Sequence, residues 1–335
     1  EVSMNAVYGI DPSSSHIALD EYEHVKIRDL LYGLLLASGN DCAVVLAETV
    51  GGSIEGFSDM MNAKAAEIGC TDSHFSNPHG LFSEDHYTTV HDLSLIMAYA
   101  VQNETFVEID STSTYTIPKT DKHEPRELWH GHGMFPGRYA YYEPVVCGKT
   151  GYITESGFNL VTYGEKNGIH LIVAVAGAGQ QSEDCADTRA LMEFYFNNYA
   201  LSTVAVSADQ AEPIMLDEET AIPVEIEQNE IKCLVPAGQE SAPVTYETTA
   251  AEGLARPVLK GDQVGTLTIK QGDAELASIP LLSTEDFQQP GRELKGIARN
   301  TLIAAGIAIA LVLLLLLAAS IRRRRQRRHR YFYHR

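Results

Sequence analysis

A chain of 335 residues, 44% of them hydrophobic, is long enough to bury more than one core. Its formal charge of −20 is uneven: residues 301–335 hold eight of the 25 basic side chains and no acid, which leaves 17 bases against 45 acids in residues 1–300. So acidic a body argues against nucleic acid as a partner, and five cysteines without a Cys-x-x-Cys pair support neither a zinc site nor a dithiol redox centre.

Residues 1–23 are polar and read as irregular chain, with Asp11-Pro12-Ser13-Ser14-Ser15 as a loop. Residues 25–51 read as buried helix broken once, at Ser38-Gly39, between the apolar run 30–36 and the helical pattern 41–48. Serine and asparagine at such a break are natural helix caps. One cap needs one side chain, so the pair Ser38 and Asn40 leaves a polar group for other work. Ile54, Phe57, Met60, Met61, Ala65 and Ile68 recur at intervals of three and four, predicting an amphipathic helix over 53–68 capped by Ser53 and ended by Gly69. Asn77-Pro78-His79-Gly80-Leu81 is a fixed turn in which His79 is expected to bond backbone, and Thr89 is expected to cap a helix over 90–102. His130-Gly131-His132 offers two imidazoles without a placed carboxylate or thiolate, too few donors for a metal.

The stretch Cys147-Gly148-Lys149-Thr150-Gly151-Tyr152 reads as an edge strand facing a cleft, followed by a turn at 151–156. Gly148 and Gly151 lack a Cβ, so another backbone could approach on either side. An extended peptide could pair with this edge while Lys149 and Thr150 hold its terminal carboxylate, each charge-assisted bond being worth roughly 1.5–3 kcal/mol. Strands are predicted over 157–164 and 168–177, the second apolar enough to be central in its sheet, and a helix over 184–199. Short alternating runs between 203 and 285 predict a small all-β domain. The uncharged run 301–321 is long enough to span a bilayer, and the arginine cluster 322–330 behind it is expected to stay in the cytoplasm, with the body outside.

Three phrases, Asp29–Asp41 with Ser38-Gly39-Asn40, Thr71–Leu81 with Asn77-Pro78-His79-Gly80-Leu81, and Gly148-Lys149-Thr150-Gly151-Tyr152, together resemble the D-alanyl-D-alanine carboxypeptidases of low molecular mass, over roughly residues 1–285. That resemblance implies an α+β fold: a β-lactamase/transpeptidase-like domain (1–202) followed by a small β-rich domain (203–287); the residues themselves add a linker (288–300), a transmembrane helix (301–321), where many relatives carry an amphipathic surface helix, and a basic tail (322–335). It implies a serine peptidase without cofactor that removes the terminal D-alanine of peptidoglycan stem peptides and is acylated by β-lactams. Ser38, Asn40 and Lys149 would be catalytic, with Lys149, Thr150 and Gly151 binding substrate. The family's Ser-x-x-Lys occurs nowhere in the chain, so the nucleophile and its base are expected on a segment preceding Glu1, and the chain by itself is expected to be inactive. A non-catalytic wall-binding protein, or an endopeptidase or transpeptidase, are the alternatives.

Overall fold

The structure, a computed structural model, describes residues 1–288. They pack as two compact units, residues 1–203 with 232–242, and residues 204–231 with the chain from 243. A single cut near 202 does not describe this packing, because 232–242 return to the first unit.

The first unit contains α1 (Met4–Tyr8), α2 (Ile27–Ala37), α3 (Asn40–Gly51), α4 (Ile54–Glu67), α5 (Val90–Ala100), α6 (Glu104–Asp110), the strands β1 (Thr114–Ile117), β2 (Arg126–Trp129), β3 (Val145–Ile153), β4 (Gly157–Lys166) and β5 (Ile169–Ala178), and α7 (Gln181–Asn198). Side-chain caps fix several starts. Ser53 Oγ accepts the Gly56 amide at 3.0 Å, Thr89 Oγ1 accepts that of Asp92 at 3.1 Å, and Asn103 Oδ1 accepts those of Thr105 and Phe106, each such cap being worth about 1 kcal/mol. Helices α2 and α3 pack so closely that a Cβ on Gly33 would lie 2.5 Å from Cys42 Sγ. Leu30, Leu36, Val44, Val45, Ile109, Ile117 and Leu128 form the core around them. Sequence patterns did not reveal α1, α6 or the β1–β2 hairpin, elements of four to seven residues that are too short to show a period.

A buried ion pair locks that hairpin to the 18–23 loop: Arg126 Nη1 and Nη2 each donate to Glu23 at 2.7 Å, and neither residue is exposed. Burial opposes ionisation of Glu23. Hydrogen bonds from Arg126, the Asp20 amide and the Thr120 hydroxyl more than offset it, so the carboxyl sits below its ordinary value.

The antiparallel sheet runs β3-β4-β5, with Lys149 opposite Val161 and Gly151 opposite Asn159. Strand β3 is an edge, which leaves one side of its backbone facing the cleft. Strand β5, expected to be central, is the other outer strand among the described residues; β4 is central. The apolar run in β5 reflects its packing against α5 and α7 with Ile169, Val173, Met192 and Phe196 in one cluster.

Strands β6 (Tyr199–Ala205) and β10 (Glu230–Pro236) pair, and the chain passes between the units along both. The second unit adds β7 (Ile214–Met215), β8 (Ala221–Ile222), β9 (Val224–Glu225), β11 (Thr245–Ala250), β12 (Gln263–Gln271) and β13 (Ala274–Ser283). Its main sheet has the order β11-β12-β13-β9. Alternation in β12 turns Leu267 and Ile269 inward, an irregularity in register between Gln263 and Gly265 lets Val264 be buried as well, and Ile214, Ile222, Val258 and Leu281 complete the core. The expected span 301–321, the basic tail 322–335 and nearly all of the 288–300 linker lie outside the described residues. Among the described residues no helix is long and apolar enough to cross a membrane.

Candidate active site

The break between α2 and α3 is a tight reversal. Ser38 ends α2 in the left-handed region at φ 53°, ψ 38°, its amide donating to the Gly33 carbonyl. A serine there costs roughly 1–2 kcal/mol relative to an ordinary helical backbone, and backbone held in such regions concentrates at functional sites. The hydroxyl caps neither helix: Gly39 is the cap residue of α3, and the first-turn amide of Cys42 donates to Asp41 Oδ1 at 2.9 Å. Asn40 opens α3, buried, with its amide donating to Ser15 O at 2.9 Å. Asp41, also buried, accepts the Ile17 amide at 3.0 Å and the Leu19 amide at 3.1 Å, so the 15–19 loop is tied to the same turn.

Strand β3 brings the second group of residues. Lys149 Nζ donates to Ser38 Oγ and to Thr150 O, the latter at 2.8 Å. Ser38, Asn40, Lys149, Thr150 and Gly151 line one cleft of about 1090 Å³, with His79 and Tyr152 among the other walls. The structure therefore brings together all five residues singled out from the sequence. The two glycines differ, however. A Cβ on Gly151 would meet only Asn159 Cβ at 3.9 Å, so that face stays open. On Gly148 it would lie 2.5 Å from Val161 O and 2.8 Å from His132 Nε2. The room at Gly148 is taken up inside the protein and is not available to a ligand.

Beneath β3 lies a buried polar layer. Asp110, the last residue of α6, accepts the Gly148 amide at 2.8 Å through Oδ2 and meets His130 Nε2 at 3.3 Å through Oδ1. His130 Nδ1 accepts the His132 amide at 3.1 Å. His132 Nδ1 accepts the Met134 amide at 3.1 Å, and its Nε2 lies 2.9 Å from Thr162 Oγ1. Burial, then the neighbouring His130 and Lys149, push the His132 pKa down to about 3, so this ring stays neutral and its proton sits on Nε2. Lys149 is half-buried. Burial pulls its pKa down to about 8, against the opposing attraction of Asp110. At neutral pH it is an ammonium, and a modest rise in pH discharges it.

The 77–81 turn forms another wall of the cleft. Asn77 Oδ1 accepts the Gly80 amide at 2.7 Å, and its Nδ2 donates to Leu81 O at 2.9 Å. His79 Nδ1 accepts the Leu81 amide at 3.2 Å, the backbone contact expected for it. Burial lowers the pKa of His79 and of His86, and His86 lowers that of His79 further. Sequence reasoning missed Asp110 and the cleft residue Asp184, a buried carboxyl on α7 that burial pushes up. Isolated aspartates within helices carry no signature, and only the fold shows what they face.

A free strand edge, an ammonium, two hydroxyls and an amide around one groove can hold the carboxylate end of an extended peptide and move a proton beside it. The D-alanyl-D-alanine carboxypeptidase family matches residues 1–180, and the C-terminal domain of penicillin-binding protein 5 matches residues 193–289. The D-alanyl-D-alanine carboxypeptidase DacF of Bacillus subtilis is 29% identical over 280 residues, covering 83% of this chain and 70% of its own length. Penicillin-binding protein 5 of Haemophilus influenzae superposes with a TM-score of 0.68 at 22% identity, covering 86% of this chain and 82% of its own, a likeness of fold. A point mutant of the DD-transpeptidase of Streptomyces K15 superposes with a TM-score of 0.51 at 28% identity, over 54% of this chain and 72% of its own. The chain belongs to the D-alanyl-D-alanine carboxypeptidase family, the penicillin-binding proteins of low molecular mass.

Proposed function

We propose that this protein removes the terminal D-alanine from peptidoglycan stem peptides through an acyl-enzyme, with its nucleophilic serine and partner lysine on a segment preceding Glu1. The single observation that carries this reading is the contact of Lys149 Nζ with Ser38 Oγ at the head of the cleft. In this mechanism the upstream serine attacks the penultimate carbonyl while the upstream lysine takes its proton. The C–N bond breaks, and Ser38 relays a proton to the departing D-alanine amine. Water then hydrolyses the ester. Lys149 and Thr150 hold the substrate carboxylate, Gly151 leaves it space, and Asn40 holds the amide on the acyl side. Two backbone N–H groups, one at the serine and one just past Gly151, stabilise the oxyanion. A β-lactam acylates the same serine.

The uncharged run 301–321 and the arginines behind it support a single membrane span, with the catalytic body outside and the tail in the cytoplasm. The test is to label the full-length protein with a fluorescent penicillin and to measure D-alanine release from a stem pentapeptide. Labelling with release is the expected result, and a chain starting at Glu1 should remain unlabelled. Absence of labelling in a folded full-length protein would overturn the proposal in favour of a non-catalytic wall protein. Labelling with cleavage of cross-linked dimers alone would make it an endopeptidase.

A further inference from the structure

We propose that the groove between strand β2 and the 15–18 loop is a leaving-group subsite: it receives a second stem peptide when the bond to be cut is the cross-link of a peptide dimer. This rests on the function proposed above and adds a substrate class to the same site.

The cleft does not end where a terminal carboxylate would be held. Ser38 and Thr150, which line it, also line a second, open cavity of about 680 Å³. Lys149, Gly151 and Tyr152 face the first cavity alone, and Glu127, Leu128 and Trp129 the second alone. A volume of this size is ordinary for a ligand site, which spans roughly 300–1,000 Å³. A peptide ending in D-alanine needs no space beyond its carboxylate. A D-alanine carbonyl joined to the side-chain amine of another peptide has to lead that peptide out past Thr150, and the groove opens there.

Both walls of the groove are held in place before any ligand arrives. The Asn40 amide donates to Ser15 O at 2.9 Å, and Asp41 accepts the Ile17 and Leu19 amides. Arg126 Nη2 donates to Ala18 O at 2.7 Å as well as to Glu23, so β2 is tied to the loop it faces. Gly131 lies at the junction. Its amide donates to Leu36 O at 2.9 Å, and a Cβ on it would lie 3.4 Å from Thr150 Oγ1 and 3.6 Å from Leu36 O. A side chain here would fit, but it would narrow the passage.

The lining suits a peptide that carries a free amine. Alternation along β2 buries Arg126 and Leu128 and leaves Glu127 and Trp129 exposed. Glu23 matches the charge of Arg126, so Glu127 gives this strand an acidic face that attracts an ammonium. Trp129, 62% exposed, offers a broad apolar face to aliphatic parts of the chain. With this substrate the upstream serine attacks the D-alanine carbonyl, and the C–N bond to the second peptide breaks. Ser38 relays a proton to the departing side-chain amine, and water hydrolyses the ester to leave a D-alanine carboxylate.

Trp129 is the single tryptophan of the 335-residue chain, so its emission reports on the groove. The chain starting at Glu1, expected to bind without turnover, is titrated with a cross-linked stem-peptide dimer and separately with the uncross-linked pentapeptide. The dimer is expected to change the emission saturably and the pentapeptide to leave it unaltered. A dimer without effect overturns the proposal. In the full-length protein, Trp129→Ala is expected to lower kcat/KM for dimer cleavage about tenfold or more while D-alanine release from the pentapeptide stays within about twofold. Gly131→Ala, whose methyl meets its neighbours at ordinary contact distances, should split the two activities in the same sense and serves if Trp129→Ala does not fold. A native protein that releases D-alanine yet leaves dimers intact, or folded variants that lose both activities in parallel, would overturn the subsite. A native protein with neither activity would refute the function proposed above, and the emission titration would then decide the groove by itself.

Discussion

The Lys149 ammonium donates to the Ser38 hydroxyl although 111 residues separate the two. One sits on an edge strand, the other on a left-handed turn between helices, and each is held by backbone contacts of its own. Neither segment depends on the other for its local shape, so the contact can be removed from either side without dismantling the cleft.

Removing the lysine side should therefore be a functional lesion. In the full-length protein, Lys149→Ala is expected to slow penicillin acylation and D-alanine release about tenfold or more, the loss of roughly one charged hydrogen bond. Unchanged acylation, measured by stopped-flow with a chromogenic cephalosporin, would remove Lys149 from the chemistry.

Ser38→Ala should slow turnover while shifting the melting temperature by only a few degrees, because the hydroxyl closes no helix terminus. A collapse of stability with normal residual chemistry would assign Ser38 a purely structural role.

The charge on Lys149 sets a pH limit. With its pKa lowered to about 8, the ammonium is present below that value and lost above it, so capture of an anionic β-lactam should decline as pH rises past 8. Lys149→Arg stays charged and should lose this limb even if its overall rate is lower. The same shift has the opposite sign for folding. Between about 8 and the ordinary lysine value of 10.5, the unfolded chain binds more protons at this residue, so its contribution to stability rises with pH.

Gly148→Ala should damage the fold more than Gly151→Ala. The first places a methyl 2.5 Å from Val161 O and 2.8 Å from His132 Nε2, and forcing such a clash costs about 1–3 kcal/mol. The second meets nothing closer than 3.9 Å. Urea unfolding of the two variants compares them directly, and equal midpoints would contradict the packing described.

Breaking the buried Arg126–Glu23 pair with Arg126→Met strands a carboxylate and should cost about 3–5 kcal/mol. Glu23 has its pKa lowered in the fold, so its contribution is complete above the ordinary glutamate value of 4.5 and disappears as pH falls through the lower folded value. Glu23→Gln should accordingly flatten the acid limb of the stability–pH curve, and an unaltered limb would show that other carboxyls dominate it.

Much of the site could be read from the chain because it is built from local punctuation. An apolar run that stops at Ser38-Gly39-Asn40, and a Gly-Lys-Thr-Gly strand beside a turn, each declare their geometry within a few residues. What pairs across the fold left no such trace. Asp110 lies 38 residues before the Gly148 amide that it accepts, on a helix of seven residues, and nothing in either neighbourhood announces the other. His130 and His132 looked like an incomplete metal set because their partners, Asp110 and Thr162, lie 20 and 30 residues away. Strand β5 carries an apolar run because helices α5 and α7 pack against it, and such a run does not by itself tell where in its sheet a strand lies.

The five cysteines are all buried and unbridged, at positions from α3 to β10. Each becomes reactive only when its surroundings part, so the chain carries an internal clock for opening at five places. Thiol alkylation followed by peptide mass mapping would time the loosening of the α2–α3 turn at Cys42 separately from that of strand β3 at Cys147, and so tell whether the two halves of the cleft breathe together.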